Sequence, residues 1–176
     1  MKKYLNPRFL IIIGIILAAI ISRLVTHIPN VNPIMAVALF GAAFFPDKRL
    51  AIIIPVIIMF ISDIFIGLHE TIIAVYLSFG VGALIGFMLL KKVSVSRVVL
   101  ASLLSSTAFF IITNFAVWLM TDLYALTFDG LTKCYTMALP FYRNALFGDM
   151  IYCTIMIGGF VLLEKYVPKF RMAHLD

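Results

Sequence analysis

The sequence predicts an all-α integral membrane protein, a bundle of six transmembrane helices in a single domain over residues 1–176. Composition is the first reason. The chain is 64% hydrophobic and 12% charged, whereas soluble domains are about half apolar and about a quarter charged. The second reason is length, because six membrane helices of about 20 residues need about 120 residues. The remaining residues suffice only for ends and connections.

Six apolar runs follow one another along the chain. Each is assigned as a helix, because lipid-exposed strands would leave backbone groups unpaired. The first run resembles a signal peptide, but it lacks a clean cleavage site and Arg23 closes it, so we interpret it as a retained span. The predicted spans cover about residues 9–27, 33–49, 50–68, 71–90, 98–120 and 145–163.

The second run leaves two topologies open. Asn32 suits a helix cap and Pro33 a first helical position. A helix from Pro33 to Arg49 would be about 25 Å long, which is short for a hydrocarbon core of about 30 Å. The run is therefore either a span or a re-entrant segment that leaves five spans.

The 14 Lys and Arg residues decide between the topologies. Six spans place eleven of them inside and three outside, whereas a re-entrant segment gives five inside and nine outside. The positive-inside rule favours six spans with both termini cytoplasmic. The eleven are Lys2, Lys3, Arg8, Lys48, Arg49, Lys91, Lys92, Arg97, Lys165, Lys169 and Arg171, and the three are Arg23, Lys133 and Arg143.

The net charge of +6 therefore indicates topology and contact with anionic lipid. Basic residues form no stripe with aromatic residues, so no nucleic-acid partner is expected. The longest outer connection, residues 121–144, is aromatic and apolar. We expect it to fold back over the outer face of the bundle.

Polar residues concentrate in the outer halves of the predicted spans. An ionisable residue inside a span costs about 2.5–3.5 kcal/mol on insertion scales, so each one needs a reason. Their shared depth predicts a polar cavity open to the outside that binds a small-molecule substrate. The alternative is that two of these residues, Asp63 and Asp149, form ion pairs with Arg143 or Arg23 and only stabilise helix contacts. The predicted lining is Asn30, Asn32, Asp63, Asn114, Trp118, Arg143, Asn144 and Asp149.

Small residues recur every four positions on the first span, at Gly14, Ala18 and Ser22. Such a stripe lets another helix approach closely, either within the chain or from a partner subunit. Gly82 and Gly86 form a GxxxG on the fourth span, which favours internal packing.

Catalytic patterns are poor, and neither an enzyme nor a cofactor is expected. The sequence has no HExxH, GxSxG or P-loop motif. Two alternatives stay open: a membrane-embedded enzyme using Asp63, Asp149 and an outer histidine, or a scaffold subunit of an envelope complex. The two cysteines form no CxxC pair.

Three stretches resemble a family of uncharacterised bacterial membrane proteins described only as transport proteins. The pattern also resembles, more distantly, the S components of energy-coupling-factor vitamin transporters. The three stretches are NPIMAVALFGAAFFPDKRLAIIIPVIIMFISDIFIG, SSTAFFIITNFAVWL and GLTKCYTMALPFYRNALFGDM, at residues 32–67, 105–119 and 130–150.

The S-component resemblance implies uptake of a small nutrient across the bacterial inner membrane. It implies a six-helix bundle whose first helix meets an energy-coupling transmembrane subunit, which works with ATPases. In S components this first helix carries a stripe of small residues that contacts the coupling subunit. Gly14 and Ala18 match that stripe, with glycine in place of the usual first alanine. Relatives that take up a corrinoid hold its cobalt with a cysteine, a part that Cys134 could play here, as could His27.

Overall fold

The computed structural model describes residue 14, residues 17–23, residue 25 and residues 28–167. Residues 17–23 are helical and are the described part of the first predicted span, α1. The following elements are α2 (Ile34–Phe44), α3 (Leu50–Ile66), α4 (Ile72–Leu89), α5 (Val95–Met120), α6 (Phe128–Cys153), a π-helical turn (Thr154–Gly158) and α7 (Gly159–Tyr166).

Helix is present in every predicted span. Among the described residues, three helices are long and apolar enough to cross a membrane, which indicates a helical membrane protein; they are Ile72–Leu89, Val95–Met120 and Phe128–Tyr166. The last of these is a 39-residue stretch that joins α6, the π-helical turn and α7. Helices α2 and α3 are apolar but shorter. Six complete crossings remain a prediction.

Helix α2 lies at the centre of the bundle. It packs against α3, α4, α5 and α6, and all of its residues except Ala43 are buried. Its 11 residues are about 16 Å long, roughly half of a hydrocarbon core. The sequence predicted that this helix extends to Arg49, which was wrong, because it ends at Phe44. Phe45 is extended, because Pro46 disfavours helical backbone in the residue before it.

The start of α2 agrees better with its sequence. The side-chain oxygen Oδ1 of Asn32 accepts a hydrogen bond from the backbone N–H of Ile34 at 3.1 Å. This bond satisfies one of the donors that a helix start leaves unpaired.

Two glycines of α4 let α2 approach closely. A Cβ atom on Gly86 would lie 2.5 Å from the Cβ of Ala42, and one on Gly82 would collide with the side chain of Met35. The GxxxG of the fourth span thus serves internal packing, as predicted.

Helix α6 begins at Phe128 rather than at residue 145. The hydroxyl of Thr127 accepts a hydrogen bond from the N–H of Gly130 at 3.1 Å, and Lys133 pairs with Asp129 at 2.9 Å. A threonine cap and an i,i+4 ion pair both favour helix. The segment expected to fold back over the bundle is therefore a short connection, residues 121–127, followed by the first turns of α6.

Helices α5 and α6 run antiparallel and are joined by polar side chains. Tyr135 donates to the carbonyl of Ile111 at 2.7 Å, and the hydroxyls of Tyr142 and Thr107 lie 2.8 Å apart. This pairing brings the polar residues of the two helices to matching depths.

Candidate functional site

A buried ion pair ties α1 to α3 and α4. Arg23 Nη2 donates to Asp63 Oδ1 at 2.7 Å, and the hydroxyl of Tyr76 donates to Asp63 Oδ2 at 2.9 Å. Arg23 Nη1 also donates to the carbonyl of Met59 at 3.3 Å. The aspartate is thus engaged by a cation and a hydroxyl, so the pairing alternative for Asp63 is the one observed.

A half-open polar cavity of about 350 Å³ lies beside this ion pair. It sits at the end of the bundle where α2 and α4 begin and α3 and α5 end. Three of the predicted binding residues, Asn30, Asn32 and Asn114, line it. Its other walls are Arg23, Met59, His69, Val75, Phe79, Phe109, Thr113 and Phe141.

The loop before α2 gives the cavity a fixed wall. Asn30 has a φ of 60°, a left-handed conformation that asparagine adopts more readily than most residues. The N–H of Val31 donates to the carbonyl of Ile28 at 3.2 Å, and Asn144 Nδ2 donates to the carbonyl of Pro29 at 3.2 Å. Asn144 therefore anchors this loop from α6.

The positive end of α2 lies next to the cavity, because Asn32 immediately precedes its first turn. On α5, Thr113 and Asn114 donate to the carbonyls of Phe109 and Phe110, each at 2.8 Å. These bonds use the hydroxyl hydrogen of Thr113 and one N–H of Asn114. The side-chain oxygens of both residues therefore remain available as acceptors.

A second, much smaller cavity of about 10 Å³ adjoins the polar cavity. The two share Asn30, Asn32, Phe79 and Phe109, and the small one adds Met35, Ala145 and Asp149. Asp149 is 6% exposed, and its Oδ2 lies 2.6 Å from the hydroxyl oxygen of Ser106. Neither Arg23 nor Arg143 makes an ion pair with it.

Three predicted site residues lie away from the polar cavity. Trp118 Nε1 donates to the carbonyl of Ala125 at 3.0 Å. Arg143 is exposed and stacks over the ring of Phe147. Cys134 is buried and its thiol donates to the carbonyl of Asn114 at 3.4 Å, so it does not face the cavity as a metal ligand. His27 lies outside the described residues.

The small-residue stripe of α1 is mostly exposed. Gly14 and Ala18 are exposed, and a Cβ atom on Gly14 would meet no described atom within 4 Å. Ser22 is half-buried, 2.6 Å from the hydroxyl of Tyr152. Ala18 and Ser22 also line an apolar groove of about 370 Å³ beside the π-helical turn and α7.

The predicted lining left out three residues that the structure places near the site. Arg23 was predicted as a topology signal and as a possible ion partner of the aspartates, but not as a wall of the cavity. His69 was considered only as an outer histidine of the enzyme alternative, and it lines the polar cavity. Ser106 went unnoticed, although Ser102, Ser105 and Ser106 share one face of an otherwise apolar helix, which indicates a buried polar contact.

The fold and the cavity define a class: a small helical membrane protein with a half-open polar cavity lined by its helices. The chain belongs to DUF6580, a family of unknown function whose family model matches residues 3–170. No curated protein and no solved structure matches the chain.

Proposed function

We propose that this protein binds a small polar nutrient in the polar cavity and takes part in its uptake across the membrane. One observation carries the proposal: a half-open cavity of about 350 Å³ combines a guanidinium group, side-chain amides and aromatic faces inside an apolar bundle. Small-molecule sites are typically concave, with a few convergent polar groups among apolar walls.

The walls favour a solute with a ring and a negatively charged or strongly polar group. The positive end of α2 favours negative charge, as half-helix ends do in membrane transporters, whereas the charge of Arg23 is balanced by Asp63 and its guanidinium contributes a polar wall. Phe79, Phe109 and Phe141 offer flat apolar surfaces. The volume lies at the low end of the range for ligand sites, about 300–1,000 Å³. A single-ring vitamin therefore suits the cavity better than a corrinoid, and Cys134 is not among the residues that line it.

We place the cavity mouth on the outer side of a bacterial inner membrane, with both termini cytoplasmic. The support is the eleven-to-three distribution of basic residues across the predicted topology. The exposed Gly14 and Ala18 support docking of a partner subunit on α1, such as the transmembrane subunit of an energy-coupling module with its ATPases. This part of the proposal follows the resemblance to S components.

The enzyme alternative has less support. It needs Asp63 or Asp149 free beside a histidine, but Asp63 is held by Arg23 and Tyr76. His69 lines the polar cavity, yet its Nδ1 contacts the hydroxyl of Thr71 at 3.1 Å. A scaffold role would not explain the polar cavity.

Mass spectrometry of small molecules extracted from the purified protein tests the proposal. We expect one compound to co-purify with the wild type and to be depleted at least tenfold in Asn114→Ala, which removes a cavity amide. Trp118→Ala is the matched control, because it alters the same helix outside the cavity and should retain the compound. Equal occupancy in both variants, or no bound compound in protein from cells grown on rich medium, contradicts the proposal.

A further inference from the structure

Asp149 occupies a place that suits a proton better than a solute. It lines the small cavity of about 10 Å³, which is roughly the room that one water molecule needs. That cavity shares Asn30, Asn32, Phe79 and Phe109 with the polar cavity. A water molecule there can therefore reach both Asp149 and the polar cavity, whereas a nutrient cannot reach Asp149 directly.

No basic side chain balances a charge on Asp149 among the described residues. Helix α2 and residues 28–33 carry no ionisable group, and α5 carries only Arg97, at its exposed start. Arg23 pairs with Asp63 beside the polar cavity, and the hydroxyl of Tyr76 on α4 donates to the same carboxylate. Five other titratable groups lie in this region among the described residues. Cys153 lies one turn along α6, the hydroxyl of Tyr152 is hydrogen-bonded to Ser22, and the hydroxyl of Tyr142 lies 2.8 Å from that of Thr107. His69 lines the polar cavity and Arg143 is exposed.

The two short contacts of Ser106 point to a second hydrogen. Its hydroxyl oxygen lies 2.6 Å from Asp149 Oδ2 and 2.9 Å from the carbonyl oxygen of Ser102. A serine hydroxyl has one hydrogen to donate, so an ionised Asp149 would compete with the Ser102 carbonyl for it. A protonated Asp149 resolves this, because its own O–H donates to Ser106 while Ser106 donates to Ser102. An unpaired buried charge is also avoided.

We infer that Asp149 carries a proton in the resting protein and exchanges it with water of the polar cavity. The proton leaves the carboxyl O–H for a water in the small cavity and returns by the same route, so no other reactant is needed. The inference rests on the proposed function only where it links this proton to nutrient binding. A solute that fills the polar cavity would displace the water through which Asp149 exchanges its proton.

Polar groups continue from Asp149 toward the opposite end of the bundle. Ser102 and Ser106 are fully buried on α5, and Cys153 lies beside Ser102. Cys153 and Thr154 in turn line a groove of about 240 Å³ that also includes Ser94 before α5. The π-helical turn begins at Thr154, and such turns occur frequently at functional sites. Asp149 thus lies on α6 between the polar cavity and this groove.

A sodium ion fits the small cavity less well. Hard cations are held by several oxygen ligands, whereas the walls other than Asp149 and the two asparagines are Met35, Phe79, Phe109 and Ala145. A proton needs only the carboxyl group and its hydroxyl neighbour.

Infrared difference spectroscopy of the purified protein in lipid tests the inference, with protons as the probe. We expect a carbonyl stretch of a protonated carboxylic acid at neutral pH, shifted in D₂O and lost as pH rises. The band should vanish in Asp149→Asn and persist in Asp129→Asn, the matched control, which alters an exposed aspartate on the same helix. Ser106→Ala should keep the band but move it to higher frequency, because it removes the acceptor of the carboxyl O–H.

Each result decides the question. The inference is overturned if folded wild type shows no such band at neutral pH, if Asp149→Asn keeps it, or if added sodium removes it at constant pH. If Asp149→Asn does not fold, an unmoved band in Ser106→Ala overturns it instead. No nutrient is used, so a missing band counts against this proton site alone, whereas an empty polar cavity with the band present counts against the proposed function alone.

Discussion

Replacing Asp63 with Asn should destabilise the bundle more than any single change in a neighbouring hydrogen bond. The Arg23 side chain is 13% exposed and that of Asp63 is 2% exposed, so the substitution leaves a guanidinium group buried without its counter-charge. Breaking a buried ion pair by removing one partner costs about 3–5 kcal/mol. Tyr76→Phe removes one polar bond between helices, which costs about 1–2 kcal/mol in membrane proteins.

The free energy of unfolding in mixed detergent micelles, followed by circular dichroism, measures these differences. The double variant Arg23→Met with Asp63→Asn should lose clearly less than the sum of the two single variants, because it leaves no charge unpaired. Asp129→Asn breaks an ion pair whose side chains are 77% and 68% exposed and should cause no measurable change. The reasoning is refuted if Asp63→Asn costs no more than Tyr76→Phe, or if the double variant shows additive losses.

Three further predictions follow from the topology and the packing. A cysteine placed at Lys91 should react with a membrane-impermeant thiol reagent only from the cytoplasmic side, and labelling solely from outside would contradict the eleven-to-three charge argument. Ala18→Leu should impair uptake or recovery of a partner complex while leaving the unfolding midpoint unchanged, so full uptake in that variant would exclude docking on α1. Gly86→Ala should destabilise the bundle by about 1–3 kcal/mol through overpacking against Ala42, whereas Gly14→Ala, which meets no described atom, should leave the unfolding free energy unchanged.

The sequence predicted the class and the helical runs because both depend on local hydrophobicity. It misplaced two helix ends for physical reasons. The apolar run after α2 continues past Phe44, but Pro46 imposes extended backbone on Phe45. The run before residue 145 contains Pro140 and charged residues that suggest a loop, yet the cap at Thr127 and its following ion pair start α6 at Phe128.

The candidate site was only partly predictable, because depth along a helix does not give direction around it. Asn30, Asn32 and Asn114 reach the polar cavity together. Trp118 has a similar predicted depth to Asn114, but it turns toward Ala125. Which carboxylate takes the available cation depends on how helices distant in sequence pack, and no spacing rule distinguishes Asp63 from Asp149 as the partner of Arg23.

The shortness of α2 has a consequence for how the protein is made. Insertion of a helix by the translocation machinery needs roughly 17–25 apolar residues, and α2 supplies 11. Its backbone is shielded from lipid only when α3, α4, α5 and α6 surround it. We therefore expect nascent chains that stop after α2 to leave this segment outside the lipid, and its stable integration to wait until the later helices have emerged from the ribosome. Folding of this protein in the membrane then ends when α3, α4, α5 and α6 pack around α2.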